Sequence, residues 1–255
     1  MPEGDIRRRH QRENALTNHR RQFIDYALKR QALAFGEFTT KAGRRSPYFF
    51  NTGRFDSGAS VGALGRFYAM TLAAAERDSG LRYDMLFGPA YKGITLAAAT
   101  AMALAALPES EGGRDVGFAY NRKEAKTHGD SGMLVGAPLA GRVVIIDDVL
   151  TDGASKRESV DIIRAAGAEP VAVLIAMDRM ERKDDSGPSR VSAVQTFEAE
   201  YGIPVFAIAN LDDLMEWLQH DASTALAAHG PAVAAYRARY GAAASATVDA
   251  SGVSA

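Results

Sequence analysis

The sequence predicts an α/β fold: a central, mainly parallel sheet flanked by helices, with a small N-terminal helix-plus-hairpin hood. Three observations carry this reading. Short apolar runs alternate with helical patterns from Tyr83 to Tyr201, the signature of βαβ units. The run Val143–Ile146 is apolar without alternation, as a strand buried on both faces must be. An aromatic-rich stretch, FGEFTTKAGRRSPYFFNTG, is broken by a Lys-Ala-Gly-Arg-Arg-Ser-Pro turn, which reads as a hairpin.

The elements follow in order. Residues 1–17 are polar and charged, and a flexible arm is expected there. A single domain is expected over 18–240, its hood over 18–55. Asn18–Ala34 reads as a helix with Phe23, Ile24, Ala27 and Leu28 on one face. Ser60–Ser79 is helical. Strand Tyr83–Phe87 precedes helix Ile94–Leu107. Strand Val116–Tyr120 leads into a long charged loop, Asn121–Gly136. Strand Val143–Ile146 precedes helix Ser155–Ala166, and strand Val171–Met177 precedes helix Val191–Tyr201. Strand Val205–Ala209 is followed by helical pieces, Asp212–Leu218 and Ser223–Tyr240. Residues 241–255 are rich in Ala, Ser and Gly, so a disordered tail is expected.

Composition narrows the function. The net charge is −1, which argues against a dedicated nucleic-acid partner. The chain has no cysteine, so disulfides and thiolate chemistry are out, and a cytoplasmic location fits. The longest apolar run, Ile94–Leu107, is too short to span a bilayer, so no membrane is expected. Arg7, Arg8, Arg9 and Arg12 have no apolar segment behind them, unlike a signal peptide. No Gly-x-Ser-x-Gly, Walker-type or Cys/His metal spacing occurs.

The chemistry concentrates in RVVIIDDVLTDG. Asp147 and Asp148 fall at the carboxyl end of a buried strand, where open α/β sheets bind ligands. Thr151, Asp152 and Gly153 then open a helix, whose free N–H groups and dipole favour a phosphate. Acids beside a phosphate cradle make sense if they hold sugar hydroxyls, or stabilise a cationic sugar, while the turn holds a phosphate on that sugar. From spacing alone two other readings stay open: a solvated strand end with a capping turn, and a magnesium-binding phosphate-transfer site.

Gly88-Pro89-Ala90-Tyr91-Lys92-Gly93 repeats the logic at a second strand end. In isolation it is an ordinary strand-to-helix loop with a surface lysine. Two anion-ready loops on one sheet edge suit a ligand with two separate phosphate groups. The loop over 121–136 carries Arg122, Lys123, Lys126 and His128. It reads either as a solvated surface loop or as a mobile lid closing over a polyanion. Phe49 and Phe50 point to opposite faces of a strand. One of them can wall a planar ring, with Lys41 reaching a phosphate. Arg179 suits a bidentate pair with a ligand carboxylate, or a salt bridge to Asp178, Glu181 or Asp184.

Taken together, VVIIDDVLTDGAS resembles the phosphoribosyl-pyrophosphate (PRPP) signature of type I phosphoribosyltransferases. The hairpin, LGRFYA, LFGPAYKGI, FAYNRKEAKTHG and MDRMER narrow the likeness to the bacterial orotate branch, from about Arg21 to about Tyr240. The resemblance implies transfer of a phosphoribosyl group from PRPP to orotate in pyrimidine biosynthesis, with Mg²⁺ held mainly through PRPP oxygens and water. It implies that Asp147 and Asp148 hold the ribose hydroxyls. Val149, Leu150, Thr151, Asp152, Gly153, Ala154 and Ser155 would cradle the 5′-phosphate. Lys41, Tyr91 and Lys92 would bind PRPP. Arg122, Lys123, Lys126 and His128 would form the lid, the last two stabilising pyrophosphate as it departs. Phe49, Phe50, Thr151 and Arg179 would bind orotate. It also implies a homodimer whose lids are shared between subunits.

Two departures stand out. The signature usually has a hydroxyl residue straight after the glycine, where this chain has Ala154, with Ser155 one step later. Asp152 adds a negative charge where small residues are common. Activity with a raised PRPP requirement is the expectation. Another base, or a PRPP-sensing regulator, is the rival. The carboxylate-matching Arg179 and the lid argue against each in turn.

Overall fold

The computed structural model describes residues 18–40, 42–124, 133–151, 153–183 and 190–242. The expected arm, Lys41, Lys126, His128, Asp152 and nearly all of the expected tail lie outside the described residues.

Helix α1 (residues 18–29) buries Phe23, Ile24 and Ala27. It stops short of the expected Ala34 because Gln31 turns left-handed at φ 57°. Ala32 N then donates to Ala27 O and Gln31 N to Leu28 O, a Schellman ending. β1 (Leu33–Thr39) and β2 (Arg45–Phe50) form the expected antiparallel hairpin. α2 (Gly58–Asp78) starts at a Ser57–Ser60 capping box.

β3 (Met85–Gly88), α3 (Lys92–Ala106), β4 (Gly117–Asn121), β5 (Leu134–Gly136) and β6 (Arg142–Asp147) come next. Then follow α4 (Ala154–Ala165), β7 (Glu169–Asp178), α5 (Ala193–Tyr201) and β8 (Val205–Asn210). α6 (Leu211–His220), α7 (Thr224–Ala227) and α8 (Gly230–Tyr240) close the described chain. The last two part at Gly230-Pro231, where proline sits in the first turn of α8. Gly241 bridges to Glu181, and Ala242 N donates to Met180 O, so the start of the expected tail is tied down.

The main sheet has the order β5-β4-β3-β6-β7-β8. Every pairing is parallel except β4 with β5. This is the mainly parallel sheet the alternation predicts. β5 is the one strand the sequence hides: the end of the charged loop pairs back onto β4, and Arg122 N reaches Met133 O at 2.7 Å.

Both faces of the sheet are covered. Val144, Ile146 and Leu174 pack into one core with α2, α3, α6 and the hood. Val143, Ile145 and Val173 pack into the other, with Val160 and Ile163 of α4 and Phe197 of α5. That double burial is why β6 shows no alternation. Among the described residues no helix is long and apolar enough to cross a membrane.

Candidate active site

The sheet order creates a crevice. The chain leaves β3 through α3 towards β4 on one side, and leaves β6 through α4 towards β7 on the other. The carboxyl ends of β3 and β6 therefore flank a topological switch point, where α/β sheets take ligands. Both candidate loops lie there.

The β3 loop needs its glycine. A Cβ on Gly88 would meet Gly93 O at 2.1 Å, because α3 begins almost on top of the strand end. Ala90 N donates to Asn121 Oδ1 at 2.9 Å, tying the loop to the end of β4. The Ala90–Tyr91 peptide is cis. Tyr91 is exposed, and Lys92 Nζ lies 2.7 Å from Asp148 Oδ2. A pocket of about 300 Å³ joins this loop to the start of the charged loop after β4, with Tyr91, Ile94, Tyr120 and Arg122 in its wall.

The β6 loop holds two adjacent acids by different means. Asp147 is buried. Its backbone carbonyl accepts from Tyr68 Oη at 2.7 Å. Burial, then the charges of Asp148 and Asp147, keep that phenol's pKa well above the usual tyrosine range, so it stays a donor. Asp147 Oδ1 accepts from Asp148 N at 2.9 Å, and Oδ2 from Lys156 Nζ at 2.5 Å. Asp148 is half-buried. Its carboxylate takes Lys92, Thr52 Oγ1 at 3.1 Å and Val149 N at 2.8 Å.

Beyond the acids, Val149 and Leu150 turn their side chains into the two cores, so only their backbone is left for a ligand. Thr151 and Ala154 are exposed. Gly153 sits at φ 74° as the N-cap of α4, and it supplies no side-chain cap. A helix start presents backbone N–H groups and a dipole end that favour an anion. Ser155 Oγ faces Asp147 Oδ2 at 3.5 Å.

On the hood, the adjacent phenylalanines divide as their register requires. Phe50 is buried against Phe23. Phe49 is exposed and stacks on Phe38 at 5.3 Å. Arg179 stands over the Tyr48 ring and donates through Nε to Glu181 Oε1 at 2.6 Å. Glu181 also takes Arg44 Nη1 at 3.1 Å and Tyr236 Oη at 2.9 Å. Burial opposes the charge on Arg179, but Tyr48, Glu181 and Tyr236 outweigh it and hold its pKa above the usual value. Of Asp178 and Glu181, it is Glu181 that Arg179 meets, and Asp184 lies outside the described residues. The bonds of its guanidinium to described residues run through Nε and Nη2. At the start of the charged loop after β4, Lys123 pairs with Glu158 at 3.0 Å on the surface. No described contact joins Thr151 to the hood.

Several site residues were not singled out from the sequence: Thr52, Tyr68, Asn121 and Lys156. For Lys156 a signal existed. It falls on the buried stripe of α4 with Val160 and Ile163, at the i, i+4, i+7 spacing of an apolar face.

A mainly parallel sheet with acids and two anion-ready loops at its switch point has the layout of a sugar-phosphate site. Residues 67–206 match the phosphoribosyl transferase domain. The chain is 59% identical over 223 residues to the orotate phosphoribosyltransferase of Ralstonia nicotianae, covering 87% of this chain and 95% of that one. It is 60% identical over 227 residues to that of Bordetella avium, covering 89% of this chain and 100% of that one. The crystal structure of the Francisella tularensis orotate phosphoribosyltransferase superposes with a TM-score of 0.72 at 37% identity, covering 87% of this chain and 100% of that chain. The chain belongs to the phosphoribosyltransferase family and, within it, to the orotate phosphoribosyltransferases.

Proposed function

We propose that this chain transfers the 5-phosphoribosyl group of PRPP to orotate, giving orotidine 5′-monophosphate and pyrophosphate, at the β3–β6 crevice. The observation that carries the reading is the meeting of Asp147 and Asp148 with two anion-ready turns at one switch point.

The roles follow from chemistry. Carboxylates are acceptors only, so Asp147 and Asp148 match the ribose 2′ and 3′ hydroxyls. The backbone N–H groups from Thr151 to Ser155 take the 5′-phosphate at the start of α4. Tyr91 and Lys92 receive the pyrophosphate side, Lys41 contacts PRPP, and Arg122, Lys123, Lys126 and His128 close over the pyrophosphate. The exposed Phe49 ring, rather than the buried Phe50, offers a face for the base. Arg179 turns Nη1 to the orotate carboxylate while Glu181 holds Nε. Thr151 reaches the base from the other side.

The ring nitrogen of orotate is the nucleophile, so the protein need not supply one. As pyrophosphate leaves, the ribosyl carbon gains oxocarbenium character, and the protein orients the partners and neutralises the leaving group. Losing one such charged contact in a closed site costs about 2–4 kcal/mol of barrier. The donor chemistry fits magnesium, since two carboxylates present hard oxygens beside a phosphate loop. Bound with pyrophosphate, the ion would offset the charge of the departing group. On this reading the ion takes its ligands mainly from substrate oxygens and water. A homodimer that lends each lid to the neighbouring site, working in the cytoplasm, completes the proposal.

The test is the ultraviolet loss of orotate with purified protein, PRPP and Mg²⁺, beside a Lys126→Ala control. Turnover that collapses in the control supports both reaction and lid. Equal turnover removes the lid assignment. Absent turnover, with PRPP still bound by calorimetry, moves the reading to another base or to a PRPP sensor.

A further inference from the structure

Lys156 is buried at 5% exposure on the apolar stripe of α4, yet none of the roles above uses it. Its Nζ lies 2.5 Å from Asp147 Oδ2 and 2.5 Å from Val149 O. A buried ammonium survives only where its charge and donors are met. Here one partner is the ribose-binding acid and the other is the first carbonyl of the phosphate turn.

The placement has a geometric consequence. An anion-binding turn works when its N–H groups face the anion and its carbonyls are held away. Lys156 takes the Val149 carbonyl out of contention. The same nitrogen fixes Oδ2 of Asp147, while Asp148 N fixes Oδ1. A carboxylate has about four lone-pair positions, so acceptor capacity remains for ribose hydroxyls. One cation thereby sets the spacing between the group that binds the sugar and the turn that binds its phosphate. It also adds a positive charge from the first turn of α4, a helix start at which Ala154 has no hydroxyl.

We propose that Lys156 is a positioning residue that joins Asp147 to the phosphate turn, and so sets affinity for the ribose 5-phosphate half of the substrate but not for the pyrophosphate half. The proposal rests on the functional reading above and predicts something that reading does not: a split between two ligand fragments.

The experiment is calorimetric titration of the wild-type protein, Lys156→Met and Lys156→Arg with ribose 5-phosphate and, separately, inorganic pyrophosphate. Magnesium is present throughout, and the temperature is well below each protein's melting midpoint. Lys156→Met should lose about ten- to hundredfold in affinity for ribose 5-phosphate, the range of a charged hydrogen bond. Its pyrophosphate affinity should stay within about twofold of wild type, because Lys92 and the lid are untouched. Lys156→Arg, which keeps the charge and the donors, should recover most of the loss. If Lys156→Met does not fold, Lys156→Gln, which keeps a donor without the charge, is titrated in its place with the same expectation.

Unchanged ribose 5-phosphate affinity overturns the proposal alone. So does an equal loss for both ligands, which is what general damage to the site would produce. A wild-type protein that binds neither ligand overturns the functional reading, and this proposal with it.

Discussion

Asp147 and Asp148 are neighbours in the chain, and each is paired with a lysine, but the two pairs sit in different surroundings. In the Asp147–Lys156 pair the side chains are 10% and 6% exposed. In the Asp148–Lys92 pair the aspartate is 13% exposed and the lysine 54%. The first pair joins two elements of the scaffold, β6 and α4. The second spans the crevice, from the β6 loop to the β3 loop. A buried pair cannot exchange partners without leaving a charge unmet in a poor solvent. A pair with one end in water can. On the proposed reading this is the division the site requires: Lys92 must release Asp148 to meet pyrophosphate, whereas Asp147 must stay where it is.

The sharpest way to break this comparison is to remove each lysine in turn and measure unfolding in urea. Lys156→Met should cost about 3–5 kcal/mol, the usual loss when one partner of a buried pair is removed. Lys92→Met should cost less than about 1 kcal/mol, as exposed pairs do. Equal losses would mean that burial does not distinguish the pairs.

Activity should rank them differently. Lys92→Met should raise the barrier by about 2–4 kcal/mol through the lost contact to the leaving group, with its melting temperature nearly unchanged. Steady-state kinetics with PRPP varied would show this. A Lys92→Met enzyme with wild-type kcat/KM would remove Lys92 from the pyrophosphate side.

A smaller effect probes the backbone. Tyr68 is fully buried and donates to Asp147 O. Tyr68→Phe keeps the ring and strands that carbonyl, so it should cost about 1–3 kcal/mol. Urea midpoints read it directly. A neutral result would show that the end of β6 is held by its ladder and by Lys156 alone.

These pairs also mark what could be read from the sequence. β6 was legible because burial on both faces forces an unbroken apolar run. The two loops were legible because glycine punctuates each after a strand, joined in the first by Pro89. The division of labour between Phe49 and Phe50 followed from strand alternation. β5 was not legible: a three-residue edge strand at the end of a charged loop is held by backbone hydrogen bonds, which leave no pattern in side chains. The end of α1 was hidden because Gln31, not glycine, takes the left-handed position. Lys156 reads as a surface charge until its place on the stripe with Val160 and Ile163 is counted. The Glu181 network draws on Arg44, Tyr236 and Arg179, residues up to 137 positions apart in one bond, and only the folded chain brings them together.

The smallest effect is also the most discriminating. At about 1 M salt the Debye length falls to about 3 Å, and exposed charges are screened while buried ones are screened far less. The small cost of Lys92→Met on unfolding should then shrink towards zero. The cost of Lys156→Met should persist, because no ions enter between Nζ and Asp147 in the folded protein. Salt also strengthens apolar burial, so each variant is compared with wild type at the same salt, where that contribution cancels. If the Lys156→Met cost falls in parallel with that of Lys92→Met, water reaches both pairs, and Lys156 is as free to change partners as Lys92 is.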